Sequence, residues 1–344
     1  MTTLGNSRVA FRDALMELAE RDPRYVLVCS DSGLVIKAQP FIEKFPQRFF
    51  DVGIAEQNAV GVAAGLASSG LVPFFATYAG FITMRACEQV RTFVAYPGLN
   101  VKLVGANGGM ASGEREGVTH QFFEDVGILR AIPGITVVVP ADADQVVAAT
   151  KAVALKDGPA YIRIGSGRDP MVEGETPPFE LGKVRILKTY GHDVAIFAMG
   201  FIMNRALEAA AQLNSEGIRA VVVDVHTLKP LDVEAITAIL QKTSAAVTVE
   251  DHNIIGGLGS AIAEVSAEEM PTPLRRIGLR DVYPESGHPE PLLDKYHLGV
   301  SDIISAAKTV LKKKNHPPRR IAFSTRENAE EGFSNGNMGE EIYE

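Results

Sequence analysis

Short apolar runs rich in Val, Ile and Phe alternate along this chain with longer stretches where apolar residues recur every three or four positions. The first pattern predicts strands at residues 25–29, 72–76, 101–104, 136–139 and 160–164. The second predicts helices at 7–21, 56–69, 81–95, 121–131 and 142–156, with Asp142 at the N-cap of the last, just after Pro140. Strand–helix alternation of this kind indicates an α/β fold with largely parallel strands. Residues 165–183 break the rhythm: 165–170 and 174–178 are turn-rich and read as a linker.

A smaller α/β unit follows, with strands expected at 194–198, 220–224 and 246–250 and helices at 205–216, 233–242 and 259–267. Ser301-Asp302 starts a last helix that runs to 313. Residues 314–344 are polar, acidic at the end and without periodicity, and read as a tail. The expected organisation is two α/β domains with parallel-rich open sheets, at 1–165 and 191–313, a linker at 166–190 and the tail at 314–344.

The 344 residues are 46% hydrophobic, enough for two cores. The net charge of −8, with no basic cluster beyond Lys312-Lys313-Lys314 and Arg319-Arg320, argues against nucleic acid as a partner. The first eight residues hold no apolar signal core and no apolar run reaches membrane-spanning length, so a cytoplasmic protein is expected. Cys29 and Cys87 are the two cysteines. No Cys/His metal spacing accompanies them, so reduced thiols and no metal site in this chain are expected.

Three segments could carry chemistry. In Phe50-Asp51-Val52-Gly53-Ile54-Ala55-Glu56-Gln57-Asn58 an apolar run ends, the chain turns at Gly53, and Glu56 opens a small-residue helix. Burial beside apolar surface would raise its pKa and suit it to hold or share a proton near neutral pH. The ordinary alternative is a first-turn Glu favoured by the helix dipole. In Pro73-Phe74-Phe75-Ala76-Thr77-Tyr78-Ala79-Gly80-Phe81 a strand ends in an aromatic turn. Tyr78 and Phe81, three apart, can face one way and stack on a flat ring, with core packing as the alternative. Residues 105–121 form a loop with five glycines that delivers Thr119-His120 to a helix start. Loops at strand C-termini are where open α/β sheets bind ligands. Thr119 as a helix cap is the structural alternative.

In order and spacing these segments resemble the pyrimidine-binding domain of the thiamine-diphosphate-dependent transketolase family. His226-Thr227-Leu228-Lys229-Pro230-Leu231-Asp232, residues 250–260 and Glu285-Ser286-Gly287 resemble the C-terminal domain of the same family. The likeness covers about 7–312. The domain that holds the diphosphate and Mg²⁺ through a Gly-Asp-Gly signature has no counterpart here, since Gly-Asp-Gly does not occur. The chain thus looks like the C-terminal subunit of a split transketolase. The expected partner is an N-terminal subunit bearing the Mg²⁺ ligands, two copies of each chain making a heterotetramer with thiamine diphosphate at the interface.

The resemblance assigns Glu56 to N1′ of the aminopyrimidine, where it favours the imino tautomer whose 4′-nitrogen takes the thiazolium C2 proton. A two-carbon ketol unit then passes from a ketose to an aldehyde acceptor. Tyr78 and Phe81 would pack the pyrimidine, and Asp31 matches an acidic residue near the cofactor. His120 matches the family's substrate-side histidine, which bonds the donor's oxygens and helps move protons.

In this family two arginines, a serine and a histidine hold a sugar phosphate. Arg8 matches the first arginine, but Val35 stands at the serine, Asn107 at the histidine and Ser166 at the second arginine. An Asp that selects hydroxylated aldehydes appears as Glu116, beside Arg115. A dianion needs charge-assisted donors, so the expectation is a substrate without the usual terminal phosphate, unless Arg115 or Arg168 supplies the missing charge. Gly256-Gly257-Leu258-Gly259-Ser260 lacks the Lys-Ser/Thr ending of a phosphate loop and reads as a tight helix start. His226, His252, His288 and His297 lack ligand spacing and are expected at the surface or an interface. The competing functions are the β subunit of a 2-oxo-acid dehydrogenase and a non-catalytic partner subunit.

Overall fold

The computed structural model describes residues 3–111 and 116–315, so Arg115 and the tail beyond 315 lie outside the described residues. Strands in the first half are β1 (Leu4–Gly5), β2 (Tyr25–Cys29), β3 (Phe49–Asp51), β4 (Val72–Tyr78), β5 (Lys102–Ala106), β6 (Thr136–Val138), β7 (Ala160–Arg163) and β8 (Asp169–Pro170). The second half adds β9 (Arg185–Thr189), β10 (Val194–Met199), β11 (Ala220–Asp224), β12 (Thr227–Lys229), β13 (Ala246–Asn253) and β14 (Leu274–Leu279). Residues 166–190, read as a linker, carry β8 and β9.

Two open sheets result, of order β12-β6-β7-β5-β4-β2-β3 and β14-β13-β10-β11-β9. Pairing is parallel except where β12 meets β6, β9 meets β11 and β1 meets β8. The central strands are buried throughout, as parallel strands covered on both faces by helices must be. Helix Ser7–Arg21 is capped by the Asn6 side chain, which accepts from Val9 N–H. Asp142 accepts from Gln145 N–H at 2.8 Å and caps Ala143–Leu155. Each such cap contributes about 1 kcal/mol.

Two segments depart from their periodicity. The helix expected at 121–131 starts only at Asp125, because 118–123 are spent on a short turn and on contacts to the second domain. Residues 81–95 widen into π-helical turns at Phe81–Arg85 and Val90–Ala95. Such turns concentrate at functional sites.

The two halves share one core. Val137 and Tyr161 of the first sheet belong to the same apolar cluster as Phe197, Val223, Leu228 and Ile236 of the second half. β12 lies beyond the second sheet's β11 in sequence, yet it extends the first sheet. The domains therefore pack as one body around a shared apolar seam.

Candidate active site

The first sheet reverses its winding between β2 and β4, since β2 leads to β3 on one side and β4 to β5 on the other. The crevice beyond the C-terminal ends of such strands is where α/β sheets bind ligands. Ser30–Ser32 and Tyr78–Phe81 lie at those ends. Helix Glu56–Ser68 crosses back over β2, burying Ala59, Val60, Ala63 and Ala64. Small side chains let the helix sit close, which places Glu56 in the crevice.

Glu56 is 1% exposed. Ser30 Oγ donates to Oε1 at 3.3 Å, and Arg85 Nη1 donates to Oε2 at 2.7 Å. The Arg85 side chain is 45% exposed and its guanidinium lies 4.0 Å from the centre of the Phe81 ring. Tyr78 and Phe81 stand 5.4 Å apart, and His120 packs edge-on to both, at 5.0 and 5.3 Å. Phe122 closes the cluster at 5.3 Å from Phe81. Its ring fills the place of a Cβ at Gly80, so only glycine fits there. Burial and the charge of Glu116 push the Tyr78 hydroxyl up, and Arg8 opposes them. Glu56, Tyr78, Phe81 and His120 are thus brought together.

A second group forms beside them. Arg8 donates through Nε to Gly165 O at 3.3 Å, through Nη1 to Val35 O at 3.1 Å, and through Nη2 to Asn107 Oδ1. Asn107 is buried, in a left-handed conformation with φ 57°. Burial lowers the Arg8 guanidinium, against Tyr78, Asp169 and Glu116, whose charges raise it. Ser166 is partly buried and Glu116 exposed. Asp31 is exposed just past the end of β2, next to Ser30, and its N–H bonds Asp51 Oδ1 at 2.9 Å.

Nothing in the sequence singles out Arg85, although its spacing of four from Phe81 puts the two on one helical face. Its flat cation makes two contacts: an N–H bond to the Glu56 carboxylate and a stack on Phe81. An aminopyrimidine needs the same two, so the residues present fit that half of thiamine diphosphate. Among the described residues no group of three or more His, Cys, Asp or Glu is placed to hold a metal ion.

The second sheet reverses between β10 and β13. There Asp251 Oδ1 accepts from Met110 N–H at 2.8 Å and Oδ2 from Ala111 N–H at 3.1 Å. Beside it a cavity of about 760 Å³ is lined by residues including Ser166, Arg168, Asp169, Asn204 and Arg205, and by none of Glu56, Tyr78, Phe81 or His120. Arg205 pairs there with Glu290 and, at 2.6 Å, with Asp294.

The glycine turn at 256–259 is a helix start whose anion position the chain fills itself. Glu250 accepts from Leu258 N–H at 2.7 Å and Gly259 N–H at 2.8 Å. Of the histidines expected at the surface or an interface, His226 and His252 are wholly buried. Burial lowers His226 to about 3, with Arg185 adding to the effect. His252 sits in the domain seam, accepting from Gly127 N–H at 3.2 Å and facing Asn253 O from Nδ1 at 2.6 Å. Those partners need the neutral ring with its proton on Nδ1, and burial lowers its pKa to about 4.

Residues 6–167 match the model of the transketolase pyrimidine binding domain, and residues 182–303 that of the transketolase C-terminal domain. A 6-deoxy-6-sulfo-D-fructose transketolase subunit from Clostridium sp. (strain MSTE9) is 43% identical over 308 residues, 90% of this chain and 95% of that protein. A subunit of apulose-4-phosphate transketolase from Phocaeicola vulgatus is 38% identical over 307 residues, 89% of this chain and 97% of that one. A solved structure described as a split gene transketolase, inactive beta4 tetramer, superposes with a TM-score of 0.81 at 42% identity, covering 90% of this chain and 99% of that chain.

Proposed function

We propose, from the premise that this chain belongs to the transketolase family, that it is the C-terminal subunit of a split transketolase and acts in ketol transfer. The grouping of Glu56, Tyr78, Phe81 and His120 at the first winding reversal carries this reading. Thiamine diphosphate dependence comes with the family, and when bound the cofactor supplies the carbon nucleophile and electron sink. Glu56 holds the proton at the pyrimidine nitrogen, Phe81 and Tyr78 orient the ring, and His120 faces the substrate from the glycine loop. Arg85 has to release Oε2 and the Phe81 face for the ring to enter, and its half-exposed side chain has room to do so.

An N-terminal subunit supplies the diphosphate and Mg²⁺ site, in a complex with two copies of each chain. The absence of Gly-Asp-Gly and the near-complete overlap with separate transketolase subunits support that partner. Among the described residues no helix is long and apolar enough to cross a membrane, and we place the enzyme in the cytoplasm. Asp31 is kept as a cofactor-side residue at the mouth of the crevice, and Glu116 as a substrate-side one through its charge on Arg8 and Tyr78.

The substrate's far end meets Arg8 and Asn107, with Val35 and Ser166 where further phosphate donors would stand. Three Arg8 donors are already engaged by protein oxygens. One guanidinium with a neutral amide suits a monoanion or an uncharged terminus better than a phosphate carrying roughly two charges. A sulfonate, the group on the substrate named for the Clostridium relative, has that single charge. The test is ketol transfer by this chain reconstituted with an N-terminal subunit, comparing kcat/KM for 6-deoxy-6-sulfofructose, fructose 6-phosphate and fructose. Preference for the sulfonate or the free sugar is expected; a strong preference for the phosphate removes the terminus reading. Transfer from none of them, with turnover of pyruvate instead, removes the transketolase reading.

A further inference from the structure

The glycine loop leaves β5 at Asn107 and returns through Glu116 to His120 and Phe122. Its outgoing limb is short of partners within its own sheet. Gly108 N–H reaches Ile164 O at 3.3 Å and Gly109 N–H reaches Phe122 O at 2.6 Å. Beyond them, the N–H groups of Met110 and Ala111 both point to one carboxylate, that of Asp251 on β13 of the second domain. Gly109 has φ 98°, and a Cβ there would overlap Asp251 Oδ2, so backbone and carboxylate are matched at contact distance.

The returning limb is held by the same domain. Gln121 Nε2 donates to Glu285 O at 3.1 Å, and Asn253 N–H donates to Phe123 O at 2.7 Å. Arg163 ties the two anchor points together, donating to Asp251 O at 3.0 Å and Phe122 O at 2.8 Å. Its Nη2 also lies 3.2 Å from Asp125 Oδ1, and Tyr161 O–H donates to Asp125 Oδ2 at 2.5 Å. Arg163 also packs against the outgoing limb at Gly108, where a Cβ would overlap its side chain. Arg8 holds the start of the limb at Asn107, and Asp251 takes its next two free amides, those of Met110 and Ala111, with charge-assisted bonds.

We propose that Asp251 is a positioning residue of the active site: the second domain uses it to set the outgoing limb of the glycine loop, residues 107–111, and through the bond from Gly109 N–H to Phe122 O the place of Phe122 and of His120 packed on it. Asp251 touches neither substrate nor cofactor in this role. It acts through the backbone of Met110 and Ala111. The inference rests on the ketol-transfer reading for its consequence in turnover, and not for the contact itself.

The test uses the full chain assembled with its N-terminal subunit, with hydroxypyruvate as donor and glyceraldehyde as acceptor. Asp251→Ala removes both acceptors, while Asp251→Asn keeps one and turns an amide NH₂ toward the other N–H. Misplacement of a reacting group by about 1 Å can cost a hundredfold in rate, so kcat of Asp251→Ala is expected to fall about ten- to a hundredfold. Asp251→Asn should recover part of that loss. Thiamine diphosphate affinity and complex assembly should stay within about twofold of the parent, because the pyrimidine contacts lie on other elements. Amide hydrogen exchange over residues 107–111 should accelerate in Asp251→Ala and less in Asp251→Asn, with or without cofactor. Parent-like kcat and exchange in Asp251→Ala overturn the proposal. So does a fall in kcat that only follows a loss of assembly or cofactor binding in both variants. An inactive parent complex, with the exchange result intact, refutes the ketol-transfer reading and leaves the loop contact standing.

Discussion

The two sheets reverse their winding in the same way and use the resulting crevices differently. Beyond β2 and β4 the crevice holds a buried carboxylate with an exposed arginine on it, beside the ring cluster of Tyr78, Phe81, His120 and Phe122. Beyond β10 and β13 the carboxylate faces backbone amides of the other domain. Both carboxylates are satisfied, but by partners of opposite mobility. Arg85 can swing away on a half-exposed side chain, whereas Met110 and Ala111 are backbone and cannot leave without moving the loop. A crevice becomes a binding site where its polar groups have exchangeable partners, and a joint where they do not.

The sharpest break between the two sides is Glu56→Gln. The amide keeps the shape and loses the exchangeable proton, so kcat should fall about a thousandfold while the chain stays folded. Ketol transfer and a thermal melt on the same sample check it, and retained turnover would show that the first crevice is not the chemical one.

On the joint side, acid should loosen the seam through His252. Burial depresses its pKa from the ordinary 6.5 to about 4, against Asp125 and the bonds to Asn253 and Glu124, which raise it. Its stabilising effect is therefore complete above pH 6.5 and lost as pH falls through 4, on the order of 3 kcal/mol at the lower end. Glu250, 3.8 Å from it, works the other way, since burial lifts it to about 7 against its two backbone donors. The slope is thus read as a difference: the stability gap between parent and His252→Gln in urea denaturation should shrink between pH 6.5 and 4. A constant gap would mean that the ring is not buried neutral.

Gly109→Ala presses a methyl group against Asp251 Oδ2 in a backbone conformation that disfavours any side chain. The expected cost is about 1–3 kcal/mol, read as a lower melting temperature together with a lower kcat. Gly158→Ala, with a similar φ of 90° and nothing within 4 Å, should lose some stability and keep its kcat.

The smallest effect separates two roles for Arg85. If it only occupies the pyrimidine's contacts, Arg85→Ala removes a competitor worth about 1 kcal/mol and tightens thiamine diphosphate binding severalfold. Cofactor titration of the assembled complex by fluorescence measures it. Weaker binding would instead make Arg85 a support for Phe81.

Most elements of this fold are legible from periodicity. The strand expected at 25–29 and the helix at 7–21 match the structure residue for residue, because local pattern and cap agree there. β9, β12 and β14 have no such signal. They are short or mixed in polarity, and each is a strand only because a neighbour's edge offers it hydrogen bonds. The four residues grouped at the first crevice are marked by residue type and spacing. Arg85, Asp251 and the burial of His252 are not, because an exposed-looking arginine, an Asp after a strand and a lone histidine are ordinary in sequence.

What the sequence by itself determined is the set of local elements, the two-domain alternation and the acid, aromatic and glycine segments that mark the family. All of these depend on neighbours a few positions apart. Tertiary structure alone decided that a strand of the second half completes the first sheet, that Arg85 lies on Glu56, and that Asp251 holds a loop 140 residues away. Contacts at such separations follow from how sheets pack, and packing leaves no period in the chain.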